Sequence, residues 1–213
     1  MKMSAKVWGF AFAIIAGTTL VSMPVSAKEG EKELTGSYNV SAKTELQIDF
    51  GVGSIRFEPT SAEQVEVTVL ATADDDFNWR KNDLDAVELV TKQRADRLQL
   101  SVSEEDDIAY EWVVKLPQMA ALDLDLGVGE VKGQLQAMDI NIDVGVGEVE
   151  LLVNGAVGRI NADVGVGDSV IRGLSEVESN RYMVAASSNA RGSGKAKVNV
   201  DVGVGEITLT IKE

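Results

Sequence analysis

Cysteine and histidine are both absent from the 213 residues of this chain. Without cysteine there are no disulfides and no thiolate nucleophile, and without histidine the commonest general base and transition-metal ligand is missing too. Ser-His-Asp triads, Cys-His dyads and thiolate or imidazole zinc sites are therefore excluded, which leaves carboxylate, lysine, tyrosine or hydroxyl chemistry. Aromatic residues are scarce at 5%, so there is little material for the stacking platforms that sugar sites use. Basic side chains are few, 20 against 34 acidic ones, for a net charge of −14, a sign that disfavours nucleic acid and anionic lipid as partners. Long apolar runs are missing as well. The one sustained run, Val7 to Val21, falls short of the roughly 20 residues needed to cross a bilayer.

That run has another use. Lys2 and Lys6 precede it, and Val25-Ser26-Ala27 follows with small residues where a signal peptidase cuts, the tripartite form of a secretory signal. Residues 1–27 read as a signal peptide cleaved after Ala27, and residues 28–213 as one domain. No cysteine stands at the junction to carry a lipid anchor, and nothing later is long and apolar enough to span a membrane. Removal of the leader takes away two lysines and no acid, leaving 18 basic and 34 acidic side chains and a net charge of −16. With 45% of the whole chain apolar, a folded body with a real core is expected rather than disorder. The expected setting is periplasmic or secreted.

One phrase organises the chain. It occurs as Asp49-Phe-Gly-Val-Gly-Ser54, Asp125-Leu-Gly-Val-Gly-Glu130, Asp143-Val-Gly-Val-Gly-Glu148, Asp163-Val-Gly-Val-Gly-Asp168 and Asp201-Val-Gly-Val-Gly-Glu206. From first glycine to first glycine the spacings are 76, 18, 20 and 38, the two long ones being multiples of 19. A period of this size points to one supersecondary unit stacked repeatedly, as in β-solenoids. Apolar residues alternate at Ile140, Ile142, Val144 and Val146, then resume out of phase at Val149 and Leu151. A strand that keeps one face in the core through such a slip must bend or bulge, here at Gly147-Glu148. Each unit thus reads as strand, glycine corner, strand, with Asp143 and its equivalents pointing away from the core. No helix follows the glycines, so dinucleotide binding of the GxGxxG kind is excluded.

Between the first and second hexads the alternations at Val65-Val67-Val69, Val87-Leu89, Leu98-Leu100-Val102 and Tyr110-Trp112-Val114-Leu116 read as further strands or hairpins on the same body. Asp74-Asp75-Asp76, with Phe77 and Trp79 after it, reads as a loop. Ala185 to Gly194 reads as a flexible excursion from a degenerate repeat.

The signal peptide, the valine-rich early strand, the Tyr110 to Leu116 strand ending in Pro117, and the serial Asp-x-Gly-x-Gly-Asp/Glu phrases together resemble the bacterial exported domain family labelled "putative adhesin", a domain of unknown function. The resemblance spans about residues 36 to 213. It implies a β-helix-like fold, a cell-envelope setting and an association with envelope-stress regulation, and it supplies no catalytic residues.

Three candidate sites emerge. The first is a pair of acidic ladders, Asp125, Asp143, Asp163 and Asp201 in one, Glu130, Glu148, Asp168 and Glu206 in the other. Stacked about 4.8 Å apart, exposed carboxylates repel by only about 0.9 kcal/mol in bulk water, so the ladders are tolerable as a solvated face without an ion. Calcium is the alternative, although this is not the nine-residue calcium repeat. The second is a carboxylate pair serving a glycosidase on a β-helix, for which Trp79 and Trp112 would be the available indoles once the leader is gone. The third is a local charge reversal: Arg172, Arg181, Arg191, Lys195 and Lys197 against Glu176 and Glu178, either a docking place for an anionic partner or a solvated loop relieving its acidic neighbours. The reading is an all-β, β-solenoid or β-helix-like stack of roughly 19-residue units with added hairpins in the N-terminal half. It is taken as a non-catalytic envelope scaffold with no cofactor, no metal site and no catalytic residues, whose partner is an envelope protein or polymer. A carboxylate-dependent polysaccharide enzyme and a calcium-binding repeat are the alternatives.

Overall fold

The computed structural model describes residues 30–73, 84–103 and 108–213; the leader and the Asp74 to Trp79 segment lie outside them. The chain is all-β. Its strands are β1 (Glu31–Asn39), β2 (Glu45–Pro59), β3 (Gln64–Ala73), β4 (Leu89–Arg94), β5 (Arg97–Val102), β6 (Ile108–Leu116), β7 (Ala121–Gln136), β8 (Asp139–Asn154), β9 (Val157–Arg172), β10 (Glu176–Tyr182), β11 (Ala185–Arg191) and β12 (Ala196–Lys212). A 3-10 turn, Leu84–Ala86, precedes β4. No helix among the described residues is long and apolar enough to cross a membrane.

All twelve strands join one open mixed sheet in the order β1-β3-β6-β2-β7-β8-β12-β9-β11-β10, with β5 pairing β2 and β4 pairing β5. The five hexad-bearing strands β2, β7, β8, β12 and β9 are parallel neighbours, and their hexads are in register: Asp49, Asp125, Asp143, Asp201 and Asp163 stand in one row. The row does not follow the chain. The C-terminal strand β12 lies between β8 and β9, so Gly203 stands between Gly145 and Gly165 in the row that also holds Gly51 and Gly127.

The connections reveal the shape of these strands. Only Ala137 and Met138 separate β7 from its parallel neighbour β8. Sixteen residues of straight strand would span about 53 Å, whereas three Cα steps cover at most about 11 Å. A parallel partner ordinarily needs a crossover of a dozen residues or more. The strand must therefore double back within its own length. The glycines show where: Gly129, Gly147 and Gly205 have φ of 151°, 156° and 148°, a region in which a Cβ would be strained.

Burial follows both arms of each bent strand. On the first arm the inward rows are Leu46, Leu122, Ile140, Val198, Ile160, then Ile48, Leu124, Ile142, Val200, Ala162, then Phe50, Leu126, Val144, Val202, Val164. On the second arm Ile55, Val131, Val149 and Ile207 share a row that Ser169 completes on β9. Each fully buried Val, Ile or Leu stabilises the fold by about 1.5–3 kcal/mol, so these rows hold the arms face to face. The slip is wider than the sequence pattern suggests. Val146 is not inward: it and its equivalents Val52, Val128, Val166 and Val204 are between 45% and 47% exposed. The corner therefore runs from Gly145 through Glu148, because both glycines and the valine between them stay outside until Val149 turns in.

The additions at either end complete the sheet. β5 pairs with the first arm of β2 and β6 with its second arm, so two strands take the place that one bent strand fills elsewhere. Tyr110, Trp112, Val114 and Leu116 of β6 are buried, and the Trp112 ring lies 5.3 Å from that of Phe50. At the opposite end, Ala185 to Arg191 is not a flexible excursion. It forms β11, antiparallel to β9 and hairpinned with β10. Its small residues suit a strand that lies against the first arm of β9 and buries Ala186, Ser188 and Ala190; sheet context here overrides weak intrinsic β-propensity.

Candidate functional site

Alternation on the first arm sends every second side chain outward. Two residues before the aspartates, Gln47, Asp123, Asn141, Asn199 and Asn161 form an outward row. It is knitted by Gln99 Nε2 to Gln47 Oε1 at 2.7 Å, Asn141 Nδ2 to Asp123 Oδ1 at 3.1 Å and Asn161 Nδ2 to Asn199 Oδ1 at 2.8 Å. Such amide ladders reward exact vertical stacking. Next comes the aspartate row, then the glycine row, then the half-exposed valines.

The glycine row has no side chains, so it forms the floor of a groove. This groove, about 840 Å³, is lined by Asp49, Asp125, Asp143, Asp201 and Asp163, by the glycines two residues on, and at one end by Tyr182 and Ala185 to Ser187. The floor cannot be filled by substitution. A Cβ on Gly145 would lie 2.5 Å from the carbonyl oxygen of Gly127, and one on Gly203 2.6 Å from that of Gly145. The β10–β11 hairpin ends the groove: Ala186 pairs with Val164, and Tyr182 pairs with Ala185. Its tip, Tyr182, Met183 and Val184, is exposed, and Met183 holds a φ of 52°. The tip is fixed to the stack where Gly167 N donates to Val184 O at 2.9 Å and Arg181 binds Asp168.

The two acidic rows differ. In the second, Glu130 and Glu148 lie 2.9 and 4.0 Å from Lys132 Nζ, and Asp168 is held by Arg181. In the first, no ion pair reaches any of the five aspartates among the described residues; Asp143 accepts a hydrogen bond from Asn141 Nδ2 at 3.1 Å. Burial, with the like charges of Asp123, Asp143 and Asp49, raises the Asp125 carboxyl above its ordinary value. Burial, with Asp143 and Asp163, does the same to Asp201. The aspartate row is therefore an uncompensated line of charge beside a floor without side chains.

Among the described residues no three carboxylates converge as a metal ion would require. Of the basic residues of the charge reversal, Arg191 and Lys197 flank Arg159 in one exposed row across β11, β9 and β12, whereas Arg181 turns to Asp168. Trp112 is a core residue and offers no sugar platform. The groove itself was invisible as a residue motif, since its floor is an absence of side chains; the outward Asp-x-Gly spacing repeated in five in-register strands is its signature.

An all-β body of parallel, in-register, bent strands with an acidic groove across them is the class that fold and site define. The chain belongs to the family described as the N-terminal domain of toast_rack, DUF2154, whose model matches residues 24–172. Both strands that pair with β9 lie past the matched span. No curated protein matches the chain. Among solved structures it is similar to a "putative cell adhesion protein" from Clostridium sporogenes, at 18% identity and a TM-score of 0.49 over 85% of this chain and 100% of that one. It is also similar to a "putative adhesin" from Bacteroides fragilis, at 14% identity and a TM-score of 0.33 over 84% and 97%. A third, a "putative adhesin" from Parabacteroides distasonis, shares 12% identity with a TM-score of 0.25 over 84% and 97%. Likeness at this level carries no ligand or mechanism across.

Proposed function

We propose that this protein is an exported, non-catalytic binding scaffold of the bacterial envelope, that its bent strands are the coils of a β-solenoid, and that the groove over the aspartate and glycine rows is its binding face. The observation that carries the proposal is the groove: five strands present the same two outward residues at the same height, and a tethered hairpin closes one end. Repetition of an acid and a bare backbone suits recognition of an extended partner, because equivalent contacts recur at each step. Connections as short as Ala137-Met138 support the coil reading, since they suffice only when each strand returns to its start. The leader supports export, and the lack of histidine and cysteine supports a binding role over a catalytic one.

A photoreactive amino acid at Tyr182, in the groove, and another at the exposed Glu111, outside it, test the reading in the source cell. Envelope components should be captured from position 182 and not from 111. Equal capture from both, or from 111 alone, would remove the groove as the binding face. Mass spectrometry of the native protein should find Lys28 as the first residue; a retained Met1 would overturn export.

A further inference from the structure

The surface around the glycine floor is asymmetric, and the asymmetry names an occupant. On one side stands the aspartate row, uncompensated among the described residues while the glutamate row has Lys132 and Arg181. Past the floor and outside the groove's own lining, one residue beyond each floor glycine, stand Val52, Val128, Val146, Val204 and Val166, each close to half exposed. Five such side chains about 4.8 Å apart make a continuous apolar stripe, the kind of surface that proteins seldom leave open without a partner. At the closed end Tyr182, Met183 and Val184 extend the apolar surface. The four steps between the five strands of the row measure about 19 Å, the length of about six extended residues.

We propose that the groove takes an extended, cationic, amphipathic peptide segment in which basic and apolar residues alternate. This deepens the reading of the groove as the binding face and rests on it. An extended chain lying along the glycine floor sends successive side chains to opposite sides. Its lysines or arginines would meet the aspartates and its apolar residues the valines, while the missing Cβ atoms let the peptide backbone approach the floor. A simple polycation would satisfy only the aspartate side, and an apolar strand only the valine side. A second copy of this strongly acidic chain would bring like charge to the aspartate row.

The test is calorimetric titration of the protein at low salt with an acetylated, amidated hexapeptide of alternating lysine and valine, with its block isomer of three lysines followed by three valines, and with spermine. The alternating peptide should bind about tenfold more tightly than its isomer. Asp143→Asn with Asp201→Asn should weaken it by about fivefold per charge removed, as surface ion pairs near 1 kcal/mol imply. Val146→Ser with Val204→Ser, exposed positions that leave the core intact, should erase the preference for alternation. Equal affinity for the two isomers, or spermine binding as tightly as the peptide, would overturn the proposal in favour of unspecific charge attraction. If no peptide binds while position 182 still captures an envelope component, the peptide assignment fails and the groove reading stands. Loss of both fails the groove reading itself.

Discussion

Gly147→Ala is the sharpest probe of the corner. The residue sits at φ 156°, where an L side chain costs about 1–3 kcal/mol in backbone strain alone. Its new Cβ would also overlap the carbonyl oxygen of Gly129 on the neighbouring strand and lie 3.2 Å from that residue's nitrogen. Those are backbone atoms in a strand paired along both edges, so relief requires β7 and β8 to part locally and lose one or two ladder hydrogen bonds, each worth about 1 kcal/mol. The sum is about 2–5 kcal/mol, a large part of the 5–15 kcal/mol that stabilises an ordinary domain. In urea unfolding followed by circular dichroism, the midpoint should fall with little change in slope. The thermal midpoint should drop by about 4–20 °C at 2–4 °C per kcal/mol for a chain of this size. Val146→Ser, one residue away and outside the core, should stay within about 0.5 kcal/mol. A loss under about 1 kcal/mol for Gly147→Ala, or equal losses for the two variants, would refute the claim that close approach at the corner dictates the glycine.

The aspartate row sets a pH dependence. Asp125 and Asp201 have carboxyls raised in the folded chain above the ordinary 3.8, so the folded state takes up their protons first as pH falls. Their contribution is destabilising at neutral pH and is relieved as pH drops through the folded values towards 3.8. Asp125→Asn with Asp201→Asn should therefore be at least as stable as the parent at pH 7, with the difference between the two shrinking in acid melts. A double variant that is clearly less stable at pH 7 would contradict this. Strand order can be read by cross-linking in a chain with no cysteine of its own. Asp143→Cys with Asp201→Cys should oxidise to an intramolecular disulfide across one strand spacing, and Asp143→Cys with Asp163→Cys should not, being two spacings or about 9.6 Å apart. The opposite result would place β9 beside β8. Calcium should leave the melting temperature unchanged relative to chelator; a large shift abolished by Asp143→Asn with Glu148→Gln would make the acidic rows an ion site, since only binding to the folded state raises it.

Much of this fold was legible in advance, because alternation is a direct record of which face is buried. Val65 to Val69, Leu98 to Val102 and Tyr110 to Leu116 form strands with those residues inward, and the five hexads share one register. Val146 misled because valine is read as inward wherever it continues an alternation. The corner suspends that rule, since Gly145 and Gly147 let the backbone turn before the next side chain must enter the core. β11 was hidden for the opposite reason: Ala185-Ala-Ser-Ser-Asn-Ala-Arg191 has no β-branched residue, and its strand state comes entirely from β9 and β10 alongside. Of the site, the aspartate row could be read from the hexads, whereas the groove and the Tyr182 wall depend on which strands become neighbours.

Neighbour order is the one feature the hexads are unable to encode, since five near-identical phrases pair equally well in any sequence. The inward side chains decide it. β9 carries Ala162 and Ser169 where β12 carries Val200 and Ile207. Placed beside β8, Ser169 would leave a hydroxyl between Val149 and Ile207, at a cost of about 1–3 kcal/mol for the unsatisfied group. At the end of the stack it has partners: Ser169 Oγ donates to Ser188 Oγ at 2.9 Å, Ser188 Oγ lies 2.9 Å from Ser169 O, and Ser179 Oγ lies 3.1 Å from Ser188 Oγ. With a wholly apolar buried face, β12 suits the interior slot, and Gly155, in the two-residue link that passes over that slot, donates its N–H to Lys212 O at 2.8 Å. β12 thus stands inside the sheet, between β8 and β9, and brings Asp201 and Gly203 to the fourth position of the groove. An unbroken aspartate row and glycine floor exist only once β12 is in place, so the proposed binding face depends on the pairing of β12 with both β8 and β9.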